Sequence, residues 1–426
     1  MILIPNECAV STLTNGLRVV TCHSKRSMQA AVAAVYRAGS RFDPPGKAGL
    51  AHLVEHLVFQ GVNTWASKNH RLASVHRTAV ANASTMLDTC EYYYEISTSE
   101  LRAAMVLEAA RMSNVIVTSE ELSAQKGVVH QEIELRVTGA PLGGLLHAEL
   151  PRMLFTNWSN AHDGYGTRAA IEKCSLGDFE QFYEDYYVAT NCVIAVCSEL
   201  AHDAVVEIAE SAFSHLECKS SPDIGDITEP ATAGRTRTGN CTDPHAIFPA
   251  VAVGYRIDSQ EDHAVSYADY LVMSHMLTGT PRSRMTSALG RRGATALSSV
   301  GIYGPLTTSS PDVFISAAKD VDFECDQAVR NITDELTSLT TDKMSGRELA
   351  TAARSVQTKA VLRLSDLSTL ARYIGRSQML WNDPMAIGSV LENVAHVSPT
   401  SLSAATRRLL SSDRATLIME PLRERN

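Results

Sequence analysis

Two histidines and a glutamate fall within five residues, HLVEH at 52–56, inside a run that is apolar on both sides. On a helix His52 and His56 are i and i+4 and lie one above the other on a single face. Two imidazoles so placed can share one Zn2+ at about 2.0–2.1 Å from each nitrogen. Glu55 stands three residues from His52 and flanks that face without having to bind the metal. A carboxylate there can accept a proton from a water held at the metal and later deliver it to a leaving amine. The apolar neighbours exclude water and strengthen the field of a cation. On a solvated helix face the same three residues would do no chemistry, so the third ligand matters: a catalytic zinc needs three protein ligands and an open position. The segment SAQKGVVHQEIELR, 123–136, offers Glu132. His130 and Glu134 are alternatives, although His130, two positions from Glu132, points to another helical face and reads as a surface residue.

The elements that would hold these residues follow from periodicity. Leu50, Leu53, Val54, Leu57 and Val58 recur at helical spacing, so the spacing predicts a helix over 46–61. Residues 17–38 read as two strands around a polar turn, and 80–98, rich in β-branched and aromatic residues around Leu87-Asp88, as a strand pair. There the Tyr92–Tyr94 run reads as strand packing. Helices are expected over 99–114 and 118–137, the second opened by a Thr118/Glu121 capping box. A further helix over 176–186 precedes an apolar strand at 191–197.

Composition limits the classes available. A chain of 426 residues exceeds one core, and 45% hydrophobic with 20% charged residues is a globular balance. A net charge of −9 with no basic block argues against a nucleic-acid surface. Nine cysteines without a CxxC pair suit reduced thiols better than a disulfide framework. The opening MILIPNECAV has no signal-peptide pattern and no apolar stretch is long enough to span a bilayer, so a soluble, cytoplasmic protein is expected.

After Cys218 the residues become those of a linker, and then the order of elements starts again. AVAAVYRAGSRFD (31–43) is echoed by AVAVGYRIDSQED (250–262), and HLVEHLVFQG (52–61) by YLVMSHMLTG (270–279). Two echoes in register indicate a duplicated α+β unit whose second copy has Tyr270, Met273 and Ser274 where the first has His52, Glu55 and His56. The expected domains are 1–220 with the metal site, a linker at 221–241, and a homologous domain without it at 242–426.

HLVEHLVFQG, NASTMLDTCEYYYEI and QKGVVHQEIE, in that order, resemble the pitrilysin, insulysin and mitochondrial processing peptidase family of inverted-zincin metallopeptidases. More weakly, the likeness extends through Gly166-Thr167, Phe182-Tyr183 and Tyr186-Tyr187 into the second half. It implies an α+β fold of two similar domains, each a mostly antiparallel sheet packed with helices, forming half of a clamshell. Carried over by position, His52, His56 and Glu132 resemble the zinc ligands and Glu55 the general base. Ala81, Asn82 and Ala83 match the edge-strand segment that pairs with substrate backbone, although Asn82 could serve only as a turn residue. Phe59 falls near the family's pocket for the side chain just past the scissile bond.

The departures carry information too. Where the family commonly has a glutamate seven residues before the distal ligand, this chain has Gln125, which can hydrogen-bond a ligand but adds no charge. In RSRMTSALGRRGATALSSV (282–300), aligned on Arg292-Gly293, Leu289 and Ala296 stand where the family has an arginine and a tyrosine on bound peptide. In the processing relatives, acidic residues after the distal glutamate's helix meet a substrate arginine; here Leu142, Leu145 and Leu146 are expected to favour apolar or small side chains. The resemblance thus implies a zinc metalloendopeptidase subunit acting on a peptide substrate. Its expected partner is a homologous subunit lacking HxxEH, with a homodimer as the alternative. A catalytically silent scaffold is the competing reading.

Overall fold

The computed structural model describes residues 8–24, 28–67, 80–113, 115–140, 143–243, 246–257, 263–302, 304–309, 311–322, 324–341 and 344–422. Leu142 and the end of the second echo, 258–262, lie outside them. The strands are β1 (Cys8–Thr12), β2 (Arg18–His23), β3 (Gln29–Tyr36), β4 (Val80–Thr85), β5 (Cys90–Ser97), β6 (Cys192–Ser198), β7 (Thr236–Asp243), β8 (Ala250–Ile257), β9 (Thr295–Val300), β10 (Asp312–Lys319) and β11 (Arg414–Pro421). The longer helices are α1 (Leu50–Ser67), α2 (Leu101–Arg111), α3 (Ser119–Ile133), α4 (Leu176–Tyr186), α5 (His202–Phe213) and α6 (His263–Thr278). They continue with α7 (Arg284–Gly290), α8 (Cys325–Ser338), α9 (Gly346–Leu364), α10 (Leu367–Trp381), α11 (Ala386–Val394) and α12 (Pro399–Ser411).

Two sheets organise the chain. The first runs β1-β2-β6-β3-β5-β4, the second β7-β11-β8-β10-β9. In each, the first strand of the repeated motif pairs in parallel with its last strand (β2 with β6, β7 with β11), and the remaining pairings are antiparallel. Leaving out β1, the two sheets therefore share one topology, as a duplicated α+β unit requires. The expected strand pair around Leu87-Asp88 is β4 and β5. Thr118 and Glu121 form the expected capping box, with the Glu121 amide donating to Thr118 Oγ1 at 3.2 Å and the Thr118 amide to Glu121 Oε2 at 2.8 Å. Among the described residues no helix is long and apolar enough to cross a membrane.

The compact units do not follow the expected linear division. One comprises 1–130, 166–225 and 361–388, the other 131–165, 226–360 and 389–426. The reason is packing. α10 lies so close to β3 and β6 that a methyl on Gly375 would sit 2.9 Å from Val35 Cγ2 and 3.1 Å from Ala195 Cβ. It is also tied by charge: Glu91 of β5, with no exposed surface, accepts from Arg376 at 2.6 and 3.0 Å and from Arg372 at 2.8 Å. Part of the expected linker is structured as well. Residues 236–241 fall in β7, an outer strand whose polar, half-exposed side chains hide it from a search for apolar runs.

The helix carrying HLVEH starts four residues later than expected and runs past Gly61. Gly46 and Gly49 adopt positive φ, +82° and +87°, which ends any helical path before Leu50. Asp43 then caps the start: its two carboxylate oxygens accept from the amides of Gly49 and Ala51, both at 2.7 Å and buried. Gly166, at φ +78°, touches the same corner, where a Cβ would lie 2.2 Å from the Ala48 carbonyl oxygen. Leu50, Leu53, Val54, Leu57 and Val58 are buried as the periodicity predicts.

Two outcomes follow for stability. Asp43→Ala strands two buried amides and should cost about 1–2 kcal/mol in urea unfolding; an unchanged midpoint would show that the helix start is held some other way. Burial drives the Glu91 carboxyl upward, but Arg376 and Arg372 outweigh it and hold it below the usual glutamate range. That contribution is complete above the ordinary glutamate pKa and is lost as pH falls through the lowered one. Arg376→Leu should cost about 3 kcal/mol near neutrality, because a buried charge keeps only one partner. The acid-induced loss of stability should be smaller in the variant than in the native chain; parallel pH profiles would refute the assignment.

Candidate metal centre

α1 presents His52, Glu55 and His56 within one turn. His52 and Glu55 are buried and His56 is half-buried. The two Nε2 atoms are 3.2 Å apart, with ring planes at 81°. Two nitrogens bound at 2.0–2.1 Å to one tetrahedral ion would be about 3.3–3.4 Å apart, so the pair is spaced as chelating ligands are. Glu132 stands in the last turn of α3, an unbroken helix although the division between the units falls after His130. Single ligand atoms of His52, His56 and Glu132 all lie within 4.8 Å of one another, the one such grouping of three found among the described residues. Two imidazoles and a carboxylate are a donor set suited to Zn2+. The residues present therefore fit the ion.

Glu55 is held separately. Its Oε2 accepts a hydrogen bond from Thr85 Oγ1 of β4 at 2.7 Å, which leaves the other oxygen for a proton transfer. Behind Thr85 lies a buried chain of weak donors: Tyr187 donates to Cys90 Sγ at 3.5 Å, and the Tyr92 and Tyr187 hydroxyls meet at 2.9 Å. Burial, reinforced by the nearby Glu55 carboxylate, pushes the Cys90 thiol up to about 12, so it stays protonated and offers no competing thiolate. α1 is braced from a further side by Arg111 of α2, whose Nη1 reaches the Val58 carbonyl at 3.5 Å while its Nε pairs with Glu108 at 2.9 Å. Sequence reading passed over Asp43, Thr85 and Arg111. Thr85 was legible in principle, as the fourth residue of NASTMLDTCEYYYEI, whereas Asp43 lies outside the spacing of an ordinary N-cap.

The other expected residues are distributed as follows. Ala81, Asn82 and Ala83 lie on β4, the outer strand, so Asn82 is a strand residue and not a turn. Asn82 is exposed and its Oδ1 accepts from the Ala83 amide at 2.8 Å. Phe59 is half-buried on α1, three residues past His56, and Gln125 is half-buried two turns before Glu132. His130 is buried, not a surface residue, and its ring faces Glu172 at 3.6 Å. Glu134 is exposed. Tyr92 packs under the sheet as expected, with Arg111 3.8 Å over its ring. Leu145 and Leu146 do not supply a recognition surface: Leu145 is in the core with Ala250, Ala252, Leu417 and Met419, and Leu146 packs against it. Leu145 and Leu146 therefore give no basis for an apolar substrate preference. In the second copy Tyr270 and Met273 are core residues, and Ser274 Oγ donates to the Ser298 carbonyl at 2.9 Å. Leu289 is fully buried, and Ala296 is half-buried on β9.

Comparison with known proteins agrees with this architecture. The family described as Insulinase (Peptidase family M16) matches residues 18–150, and the Peptidase M16 inactive domain matches residues 173–356. His52, Glu55, His56 and Glu132 all fall in the first match, and Tyr270, Met273 and Ser274 in the second. An uncharacterized zinc protease of Streptomyces coelicolor is 23% identical over 432 residues, covering 97% of this chain and 90% of its own. A protease from Helicobacter pylori superposes with a TM-score of 0.86 at 22% identity, over 97% of this chain and 100% of that one. A peptidase M16 inactive domain from Pseudomonas fluorescens gives 0.80 at 16% identity, over 99% of each. By its two sheets, its helix-borne motif and these matches along most of its length, the chain belongs to the pitrilysin family of peptidases, family M16.

Proposed function

We propose that this chain is the zinc-binding, catalytic subunit of a metalloendopeptidase, acting on peptides in the cytoplasm. The observation that carries the reading is the convergence of His52, His56 and Glu132 beside a carboxylate, Glu55, that binds elsewhere. His52, His56 and Glu132 would hold Zn2+, and Gln125, two turns before Glu132, would support that ligand. When bound, Zn2+ supplies a Lewis acid that polarises a scissile carbonyl and acidifies water. Glu55, with one oxygen fixed by Thr85, takes a proton from water and returns it to the leaving amine. Buried α1 keeps bulk water from the carboxylate. The outer edge of β4 would take an extended peptide as an added strand through the backbone of Ala81, Asn82 and Ala83. Phe59 would meet the side chain just past the cut.

A second reading, a silent scaffold, has one observation in its favour: the match to an inactive domain at 173–356. That stretch excludes all four site residues, so it describes the half without the motif. The measurements that decide are metal content and peptide hydrolysis. The purified chain should hold one Zn2+, and Glu55→Gln should keep it while hydrolysis falls by at least about 100-fold, because a base and not a ligand is lost. Loss of zinc in that variant, or unchanged turnover, would sink the assignment.

The chain is further proposed to need a homologous subunit that lacks HxxEH. Its second half carries Leu289 and Ala296 where the family has peptide-binding arginine and tyrosine, and buried Leu289 has no surface to offer a substrate. Specific activity should rise when that subunit is added, with the mass of a heterodimer in solution. Full activity as a monomer would overturn this pairing, and full activity as a homodimer would remove the heterologous partner.

A further inference from the structure

Three cysteines lie side by side in the first sheet. Cys8 of β1 stands opposite Cys22 of β2 in an antiparallel pair, and Cys22 stands level with Cys197 of β6 in a parallel pair. Residues in register on neighbouring strands point to one face, so the three thiols form a row across three strands. Arg18, on the Cys22 side of β2, reaches the Met379 sulfur of α10 at 3.1 Å, whereas Thr21, on the opposite side, meets His202 of α5 at 2.7 Å. The row therefore faces α10. Cys8 is half-exposed on the outer strand, while Cys22 and Cys197 are buried.

We propose that Cys8 and Cys22 form a redox site that closes reversibly to a cross-strand disulfide on reaction with a small oxidised disulfide of the glutathione class. Directly opposed antiparallel residues have Cα atoms about 4.5–5.5 Å apart, inside the roughly 4.4–6.8 Å span of protein disulfides. Exposure selects the pair: an oxidant reaches the half-exposed Cys8 first, and fully buried Cys197 has no such access. The Cys8 thiolate attacks one sulfur of oxidised glutathione and releases one glutathione thiolate. Cys22, losing its proton to solvent, then attacks the Cys8 sulfur and releases the second glutathione. Two protein thiols are oxidised to one disulfide, and one small disulfide is reduced to two thiols. The neighbouring Cys22 thiol and burial push the Cys8 thiol well up, and Cys22 is raised by Cys197 and by burial. Little thiolate exists near neutrality, so closure is slow and quickens with pH. The bond pins β1, an outer strand that pairs only with β2 among the described residues. As mere small apolar fillers, three cysteines would need no common register.

The test uses the full chain in glutathione buffers from reducing to oxidising, quenched by alkylation and mapped by mass spectrometry. A Cys8–Cys22 cross-linked peptide, two hydrogens lighter and recovered as free thiols on reduction, is expected. Its formation should accelerate between about pH 7 and 9. The oxidised chain should melt about 5 °C higher. Cys8→Ser and Cys22→Ser should each abolish the cross-link, and Cys197→Ser should leave it. A Cys22–Cys197 bond, a stable glutathione adduct on Cys8 alone, or full alkylation under oxidising conditions would overturn the proposal; mapping the native chain keeps the result independent of whether any variant folds.

Discussion

Two imidazole nitrogens held 3.2 Å apart on one turn of a mostly buried helix are the constraint from which the first unit's architecture follows. Polar side chains in such a place cost free energy unless something satisfies them, and two histidines with two carboxylates would weaken an ordinary core. The surroundings are arranged accordingly. Asp43 fixes where the helix begins, Arg111 holds the carbonyl of Val58, and Thr85 brings β4 onto Glu55. Each contact belongs to a different element, so the orientation of the helix is set from several sides.

The second sheet is the control within the same chain. It repeats the strand order of the first, yet its equivalent helix carries Tyr270, Met273 and Ser274 in the motif positions. Tyr270 and Met273 pack as core and Ser274 closes a bond to a strand carbonyl. Without the histidines and the glutamate, the same positions settle into apolar packing. The polar trio of the first half is therefore not a by-product of the topology, because the same topology is built without it.

Much of this was legible from residue patterns. The spacing of Leu50, Leu53, Val54, Leu57 and Val58 marked α1, and the Thr118/Glu121 box marked the start of α3, because both signals are local. The duplication showed because two echoes kept their register. What escaped depends on tertiary contact. Arg376 and Arg372 of α10 lie 285 and 281 residues after Glu91 in sequence, yet they neutralise it, so the compact units depart from a linear division at residue 220. The polar strand β7 hid inside an apparent linker because only one of its sides meets the sheet. Leu145 and Leu146 looked like a recognition stretch, but Leu145 is core and Leu146 packs against it, a distinction that hydrophobicity alone does not make. Cys8, Cys22 and Cys197 looked scattered until strand register put them in line.

Two imidazoles and a carboxylate, with no thiolate, are the ligand set proposed for the metal. X-ray absorption at the zinc edge of the purified chain reads that ligand set directly. Scattering from two imidazole rings and light atoms at about 2.0–2.1 Å is expected. A sulfur shell at about 2.3 Å, or a single imidazole, would contradict it.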